Sequence, residues 1–140
     1  MLNNITKATP DEAEFVDNKI VEFNNVQVTF TQKETPLIKN YVIKDDDKII
    51  AGINSRIYHW GILYVDVLYV DENYRGEKLG SQLLKFVENE AIFLGAYLSH
   101  LDTFDFQAKD FYLKQGYEIY GTLENCPPNH ERYYLKKNLK

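Results

Sequence analysis

A cationic, glycine-containing segment follows the most apolar run of the chain. The run is ILYVDVLYV, residues 62–70, and Arg75, Gly76, Lys78 and Gly80 come shortly after it, where a helical pattern begins. A turn between a buried strand and a helix leaves backbone N–H groups unpaired and exposes the positive end of the helix. Glycines let a ligand approach the main chain, and the two cations add charge for phosphate oxygens. The segment therefore predicts an anion site that suits a pyrophosphate.

The same residues could also form a plain tight turn with no ligand, and the segment alone does not decide between the two. Two common phosphate motifs are missing from the sequence. It contains no glycine-rich loop that ends in Gly-Lys-Ser/Thr, and it lacks the three-glycine spacing of a dinucleotide fold. ATP, GTP and NAD therefore lose support as ligands.

The composition narrows the class of protein. The chain has 140 residues, a formal net charge of -5 and a hydrophobic share of 44%, which is typical of one soluble globular domain rather than of a nucleic-acid binder. The single cysteine, Cys126, cannot form an internal disulfide, and no segment has the pattern of a membrane span or a signal peptide. The three histidines lack metal-ligand spacing, so no metal is expected. We expect one cytoplasmic domain over residues 1–140.

Hydrophobic periodicity predicts a helix and then three strands in the first half of the chain. The helix covers residues 11–24, and residues 25–37 have an irregular pattern. Strands over residues 39–45, 48–58 and 60–70 then form an antiparallel meander, with the acidic residues 45–47 at a hairpin tip. The third strand is apolar at both alternating sets of positions, so we expect a central strand that is covered on both faces.

The second half alternates between helices and strands. A helix begins at Glu77 and ends at Gly95, with Glu88 among its outward positions. A strand (96–104), a short helix (107–115), a strand (117–123), a loop (124–131) and a last strand (132–139) follow. This order predicts a mixed α/β (α+β) fold, a sheet with a parallel centre that is flanked by helices. The inward positions of the long helix are Leu79, Leu83, Phe86, Val87 and Leu94.

Asp66 is the candidate for proton transfer on the basis of the residues alone. It is the only acid within residues 62–70, and period-two alternation puts it on the same face as Leu68 and Val70. Burial of a carboxylate disfavours its charged form, which would suit Asp66 to accept a proton. A half-exposed Asp66 that is bonded to a neighbouring strand or to Tyr64 explains the residue equally well.

Two segments resemble the signatures of one family. LYVDENYRGEKLGSQLL is similar to the acyl-CoA signature of the GNAT superfamily of N-acyltransferases, with Arg75, Lys78 and Gly80 on its three positions and Lys78 where the family usually has glycine. Asp105 stands where many members have asparagine, and the order of elements from about residue 39 onward also matches the family. The second segment, FQAKDFYLKQGYEIYG, resembles a signature that is carried here by Ala108, Tyr112, Lys114, Gly116 and Tyr117.

The resemblance implies transfer of the acetyl group of acetyl-CoA to a primary amine, by direct attack of the amine on the thioester. It implies a sheet whose central strands part to admit the co-substrate, with Tyr112 as the acid that faces the thiolate. It also implies an acid at position 66 as the base, although some members use water. The implied co-substrate site comprises Leu68, Tyr69, Val70, Arg75, Gly76, Glu77, Lys78, Leu79, Gly80, Ser81, Asp105 and Tyr112.

The sequence does not identify the acceptor amine. A polyamine, an aminoglycoside, an amino acid and a protein amine are all compatible, because the family builds its acceptor pocket from variable parts, here the first helix, residues 25–37 and the loop 122–131. A non-catalytic acyl-CoA-binding module of the same fold is the alternative to an enzyme, and an unrelated nucleotide binder is a second. A homodimer is expected by family analogy, and neither nucleic acid nor a membrane is expected as a partner.

Overall fold

The computed structural model describes residues 3–140, and the chain separates into two units, one through Thr31 and one from Gln32 onward. The first unit contains helix α1 (Pro10–Gln27). The Thr9 hydroxyl accepts the Glu12 N–H at 3.2 Å, and the Glu12 carboxylate accepts the Thr9 N–H at 2.9 Å. This capping box, with Pro10 at the first helical position, fixes the start of the helix close to the predicted one.

The second unit is built on a seven-stranded sheet of order β1-β3-β4-β5-β7-β6, in which β2 also pairs with β3. The β4–β5 pair is parallel and the other pairs are antiparallel. The mixed sheet with a parallel centre is therefore confirmed. The strand β1 was not predicted, since it begins at Leu37, the last residue of the segment that was predicted to be irregular. The elements are β1 (Leu37–Ile38), β2 (Tyr41–Asp45), β3 (Lys48–Tyr58), β4 (Ile62–Val70), α2 (Leu79–Phe93), β5 (Leu98–Phe104), α3 (Lys109–Lys114), β6 (Glu118–Glu124) and β7 (Glu131–Asn138).

The strand β4 corrects one prediction, since it is not covered on both faces. Leu63 and Val65 are buried, but Val67 and Tyr69 are exposed and Tyr64 is only half-buried. Both helices of this unit pack on the same face of the sheet, because the two crossovers, β4-α2-β5 and β5-α3-β6, run in the same direction along the sheet and such crossovers are right-handed. The face that carries Tyr64 therefore receives neither α2 nor α3.

The helix α2 corrects a second prediction. Phe86 and Leu94, which were expected to point inward, are 48% and 46% exposed. Glu88, which was expected to point outward, is buried. Its carboxylate accepts hydrogen bonds from the Lys137 ammonium at 2.9 Å and from the Tyr117 hydroxyl at 2.8 Å. A buried carboxylate is tolerated when both of its oxygens have partners. Hydrophobic periodicity cannot anticipate this arrangement, since the two partners lie far along the chain.

Candidate active site

The two central strands pair over only part of their length. The last β4–β5 pair is Val65 with Leu101, although β4 continues to Val70 and β5 to Phe104. On its other side β4 stays paired with β3 as far as Val70. Among residues 3–140, no strand pairs with the β5-facing edge of residues 66–70, so the sheet opens there as a wedge into which an extended ligand could add as a strand. We call the first residues beyond the last pair, Asp66 and Asp102, the vertex.

A β-bulge lies at the vertex and corrects the prediction for Asp66. Val65 pairs with Ser55 and Val67 pairs with Asn54, so Asp66 is the extra residue of the bulge. The bulge shifts the alternation by one residue. Leu68 and Val70 therefore pack against the core, as Leu63 and Val65 do, whereas Asp66 is exposed. The expectations that Asp66 shares a face with Leu68 and Val70, and that it is buried, are both wrong.

The segment that follows β4, residues 71–81, is the predicted anion site, and we call it the phosphate turn. It contains one turn of 3-10 helix, Glu72–Tyr74, and reaches α2 through two residues in the left-handed region, Gly76 (φ +89°) and Lys78 (φ +63°). A residue with a Cβ is strained in that region by about 1–2 kcal/mol. Lys78 therefore holds a conformation that glycine would adopt without this strain.

The first turn of α2 presents free main-chain donors. Its first main-chain bond joins the Gln82 N–H to the Lys78 carbonyl at 3.0 Å, and no side chain caps the helix. The N–H groups of residues 79–81 therefore have no hydrogen-bond partner among the described residues. Three such donors at the positive end of a 15-residue helix fit an anionic group such as a pyrophosphate.

Gly80 lies where α2, α3 and the end of β4 meet. A Cβ on this residue would lie 3.5 Å from the ring of Phe111 and 3.6 Å from Val70. These are ordinary van der Waals distances, so the packing here would accept a small side chain. The expected role of Gly80 in co-substrate binding stays a prediction.

The hairpin tip between β2 and β3 supports the phosphate turn, a role that the sequence did not reveal. The Tyr74 hydroxyl donates to the Asp45 carboxylate at 2.6 Å, and the Lys48 ammonium lies 3.5 Å from the Asp71 carboxylate. The Asn73 N–H donates to Asp71 at 2.9 Å and, with a smaller contribution from Lys48, holds the pKa of Asp71 below its ordinary value. These contacts link the turn to the hairpin.

Tyr112 is buried in α3 with its hydroxyl unengaged. The residue is 6% exposed, and its ring lies edge-on to Phe111 and Tyr117, with centroid distances of 5.2 and 5.8 Å. The hydroxyl bonds to no described residue, and no fully buried polar side-chain atom among these residues lacks a partner, so this oxygen must reach solvent. Burial, with a contribution from the Asp102 charge, raises the pKa of Tyr112 to about 12. The phenol therefore stays protonated at neutral pH and can donate to a thiolate.

Asp105 is engaged by the start of β7. Its carboxylate accepts the Glu131 N–H at 3.0 Å and lies 2.9 Å from the Nδ1 atom of His130. These contacts fasten the loop before β7 to the end of β5. The expected role of Asp105 in co-substrate binding stays a prediction.

A hydrogen-bond network beside the vertex was not predicted from the sequence. One oxygen of Asp102 accepts two bonds from Arg132, at 3.0 Å from Nε and 2.5 Å from Nη2, and the other accepts the Tyr64 hydroxyl at 3.0 Å. Burial, with contributions from the Asp102 and Asp66 charges, raises the pKa of Tyr64 to about 12. One signal could have revealed the network, because Asp102 is the only acid in its predicted strand, just as Asp66 is in its own.

Residues 3–140 contain no group of three or more His, Cys, Asp or Glu side chains that could hold a metal ion. Over the same residues, no helix combines the length and the apolar character that crossing a membrane requires.

Comparison with known proteins identifies the class. A family model described as an acetyltransferase (GNAT) domain matches residues 37–119. A blasticidin-S acetyltransferase from Streptomyces morookaense is 33% identical over 100 residues, which cover 71% of this chain and 73% of that protein. The crystal structure of an acetyltransferase from Bacillus cereus superposes with a TM-score of 0.88 at 35% identity and covers 97% of both chains. An aminoglycoside 6'-N-acetyltransferase complexed with coenzyme A shares the fold, with a TM-score of 0.65 at 17% identity over 94% of this chain and 82% of that one.

The chain belongs to the GNAT acetyltransferase family. It is an acetyl-CoA-dependent N-acetyltransferase that transfers the acetyl group to a primary amine. The resemblance inferred from the two signatures is therefore confirmed, as are the fold class and the co-substrate. The non-catalytic alternative gains no support from these relatives, because they are named as acetyltransferases.

Proposed function

We propose that the acetyl donor lies in the wedge between β4 and β5 and that the acceptor is a small-molecule amine. The observation that carries the first part is the parting of the strands after Val65 and Leu101, directly before the phosphate turn. An extended pantetheine arm has the main-chain partners that a strand needs along residues 68–70, and its pyrophosphate then lies at the start of α2. Arg75 and Lys78 add positive charge at that end.

The reaction assigns separate roles to the two ends of the wedge. At the vertex the ammonium of the acceptor must lose one proton before its nitrogen attacks the thioester carbon, and the exposed Asp66 is the proposed base, acting directly or through water. A main-chain N–H near residues 68–70 would stabilise the oxyanion. The C–S bond then breaks, Tyr112 donates a hydrogen bond to the departing thiolate, and the second proton of the attacking nitrogen passes to the sulfur, which gives the amide and free CoA thiol.

The proposal for the acceptor is supported by two relatives. The blasticidin-S acetyltransferase and the aminoglycoside acetyltransferase are both named for small molecules that carry amines. The described residues agree with this, because the face of the sheet that carries the vertex combines the rings of Tyr64, His100 and Tyr58 with the carboxylate of Asp66. Aromatic rings and an exposed carboxylate suit an organic cation.

The remaining expectations are proposals as well. Residues 1–140 would act as one N-acetyltransferase domain in the cytoplasm, where acetyl-CoA is available. A homodimer is proposed as well, by analogy with the family.

Binding and turnover are tested separately. Acetyl-CoA and CoA should raise the melting temperature, because a ligand that binds only the folded chain stabilises it, while ATP and NAD should have a smaller effect. Release of free thiol is then measured with blasticidin S, a streptothricin, an aminoglycoside, spermidine and a peptide with a free N-terminus. Turnover of at least one small amine above the peptide is expected. A preference for the peptide would contradict the proposed acceptor class without affecting the co-substrate site.

A further inference from the structure

The two carboxylates of the vertex have opposite surroundings. Asp66 follows Val65 and Asp102 follows Leu101, the last paired residues of the parallel strands β4 and β5, so the two acids occupy equivalent positions. Asp102 accepts the Tyr64 hydroxyl at 3.0 Å, and Asp66 follows Tyr64 by two residues on β4, so both acids neighbour the same tyrosine. Asp66 is exposed and bonds to no described residue, whereas the side chain of Asp102 is 19% exposed and fully engaged.

Arg132 provides two of the three hydrogen bonds that the carboxylate of Asp102 accepts from the described residues. Two of its nitrogens bond to one carboxylate oxygen, and Tyr64 takes the other. A carboxylate with three charge-assisted or hydroxyl donors has little capacity left for a substrate ammonium. Arg132 lies on β7, which is far from Asp102 along the chain and is brought beside it because β7 is the neighbour of β5 in the sheet.

The side chain of Tyr64 is fixed from several directions. The guanidinium of Arg56, from β3, lies 4.7 Å from its ring centroid, and the ring of His100, from β5, lies 5.0 Å away. The hydroxyl is held by Asp102. Tyr64 therefore forms a rigid aromatic wall two residues before Asp66 on the same strand.

We propose that Arg132, Asp102 and Tyr64 are positioning residues for the acceptor amine. Arg132 neutralises and occupies Asp102, and Asp102 fixes the ring of Tyr64. The ammonium of the acceptor is then directed to Asp66, the carboxylate of the vertex that has no partner among the described residues. This inference rests on the proposed function, since it assumes that the acceptor enters at the vertex.

The test compares two variants with the same change of charge. Arg132→Met leaves the carboxylate of Asp102 without its cation and bonded only by Tyr64, so a second acid competes for the ammonium. Lys136→Met removes the same charge from the same face of β7. Tyr134 is the residue that pairs with Asp102, and Arg132 and Lys136 lie two residues before and two residues after it. Steady-state rates are measured with acetyl-CoA and the amine of highest turnover in the panel described above.

Arg132→Met should raise the KM for the amine about tenfold, the equivalent of about 1.4 kcal/mol, and leave the KM for acetyl-CoA within about twofold. Arg132→Lys should recover part of the loss, and Lys136→Met should resemble the parent. Equal effects of the two methionine variants would overturn the inference, since the cause would then be net charge. A rise in the KM for acetyl-CoA, or a fall in the melting temperature with the amine KM unchanged, would also overturn it, since the network would then be structural only.

Tyr64→Phe provides a second test if Arg132→Met fails to fold. It keeps the ring and removes only the bond to Asp102, so the KM for the amine should rise about threefold with no change for acetyl-CoA. An unchanged amine KM would contradict the inference. The melting-temperature shift with acetyl-CoA tests the co-substrate site separately from the acceptor site. A shift without turnover of any amine would refute the acceptor site and therefore this inference, but it would support the co-substrate site.

Discussion

The phosphate turn and the vertex lie at opposite ends of the same wedge, and they are built from different parts of the chain. The phosphate turn offers main-chain N–H groups at the end of a helix, set by local backbone conformation at Gly76 and Lys78. The vertex uses side chains from β4, β5 and β7, which meet only because of the order of strands in the sheet. In the function we propose, the first arrangement binds the co-substrate that every reaction of this enzyme shares, and the second faces the acceptor amine, which varies.

Because of this difference, we expect changes in the two regions to affect different kinetic constants. Changes in the phosphate turn should affect mainly the KM for acetyl-CoA, because they alter ground-state binding. Changes at the vertex and at Tyr112 should affect kcat or the constants of the amine. Each variant below tests that division, from the largest expected effect to the smallest.

Tyr112→Phe should lower kcat about 100-fold, because it removes the donor to the departing thiolate and leaves the packing of the ring intact. The KM for acetyl-CoA should change little. Tyr120→Phe is the matched control, since that tyrosine is 54% exposed on β6. A loss of kcat under threefold would remove Tyr112 from the proposed mechanism.

The same variant has an effect on stability at alkaline pH. The pKa of Tyr112 is raised to about 12 in the folded chain, above the ordinary value of about 10 for an unfolded tyrosine. The group therefore contributes stability below pH about 10, and this contribution is lost as the pH rises towards about 12. The free energy of unfolding should fall less steeply over this range in Tyr112→Phe than in the parent, as measured by urea titration.

Asp66→Asn should lower kcat about tenfold, since water can still take the proton from the amine. The matched control is Asp47→Asn, which removes the same charge from the hairpin turn. If the two variants have equal rates, Asp66 is not the base, and the vertex would act by attraction of the ammonium alone.

Arg75→Ala should raise the KM for acetyl-CoA about fivefold without lowering kcat, because an exposed cation on phosphate contributes modest binding energy. The effect should shrink at high salt. Lys85→Ala, on the exposed surface of α2, is the control. A fall in kcat with an unchanged KM would break the division between the turn and the vertex.

Lys78→Gly and Lys78→Ala separate strain from charge. Glycine removes the Cβ from a left-handed residue and should stabilise the fold by about 1 kcal/mol, whereas alanine keeps the strain and loses the ammonium. If the ammonium binds phosphate, both variants should raise the KM for acetyl-CoA about twofold. A destabilised glycine variant, seen by thermal denaturation, would contradict the assignment of strain.

The contrast also explains what the sequence could predict. The turn between β4 and α2 could be predicted because its signals, Arg75, Gly76 and Lys78, lie within a few residues of one another, whereas its role in binding phosphate stays a prediction. The hairpin at residues 45–48 and the end of α2 at Gly95 were found for the same reason. The exposure of Asp66 could not be predicted, because the bulge depends on pairing with Ser55 and Asn54 of another strand. Arg132, 30 residues from Asp102, is likewise visible only in the folded sheet.

The edge of β4 beyond Val65 has a consequence for the tendency of the protein to aggregate. It is an unpaired strand edge in the middle of a sheet, and Val67 and Tyr69 beside it are about half exposed. Such edges can pair with other chains and begin aggregation. A bound pantetheine arm would occupy this edge, so the co-substrate would also act as a shield. Purified protein should therefore aggregate more slowly with CoA present than without it.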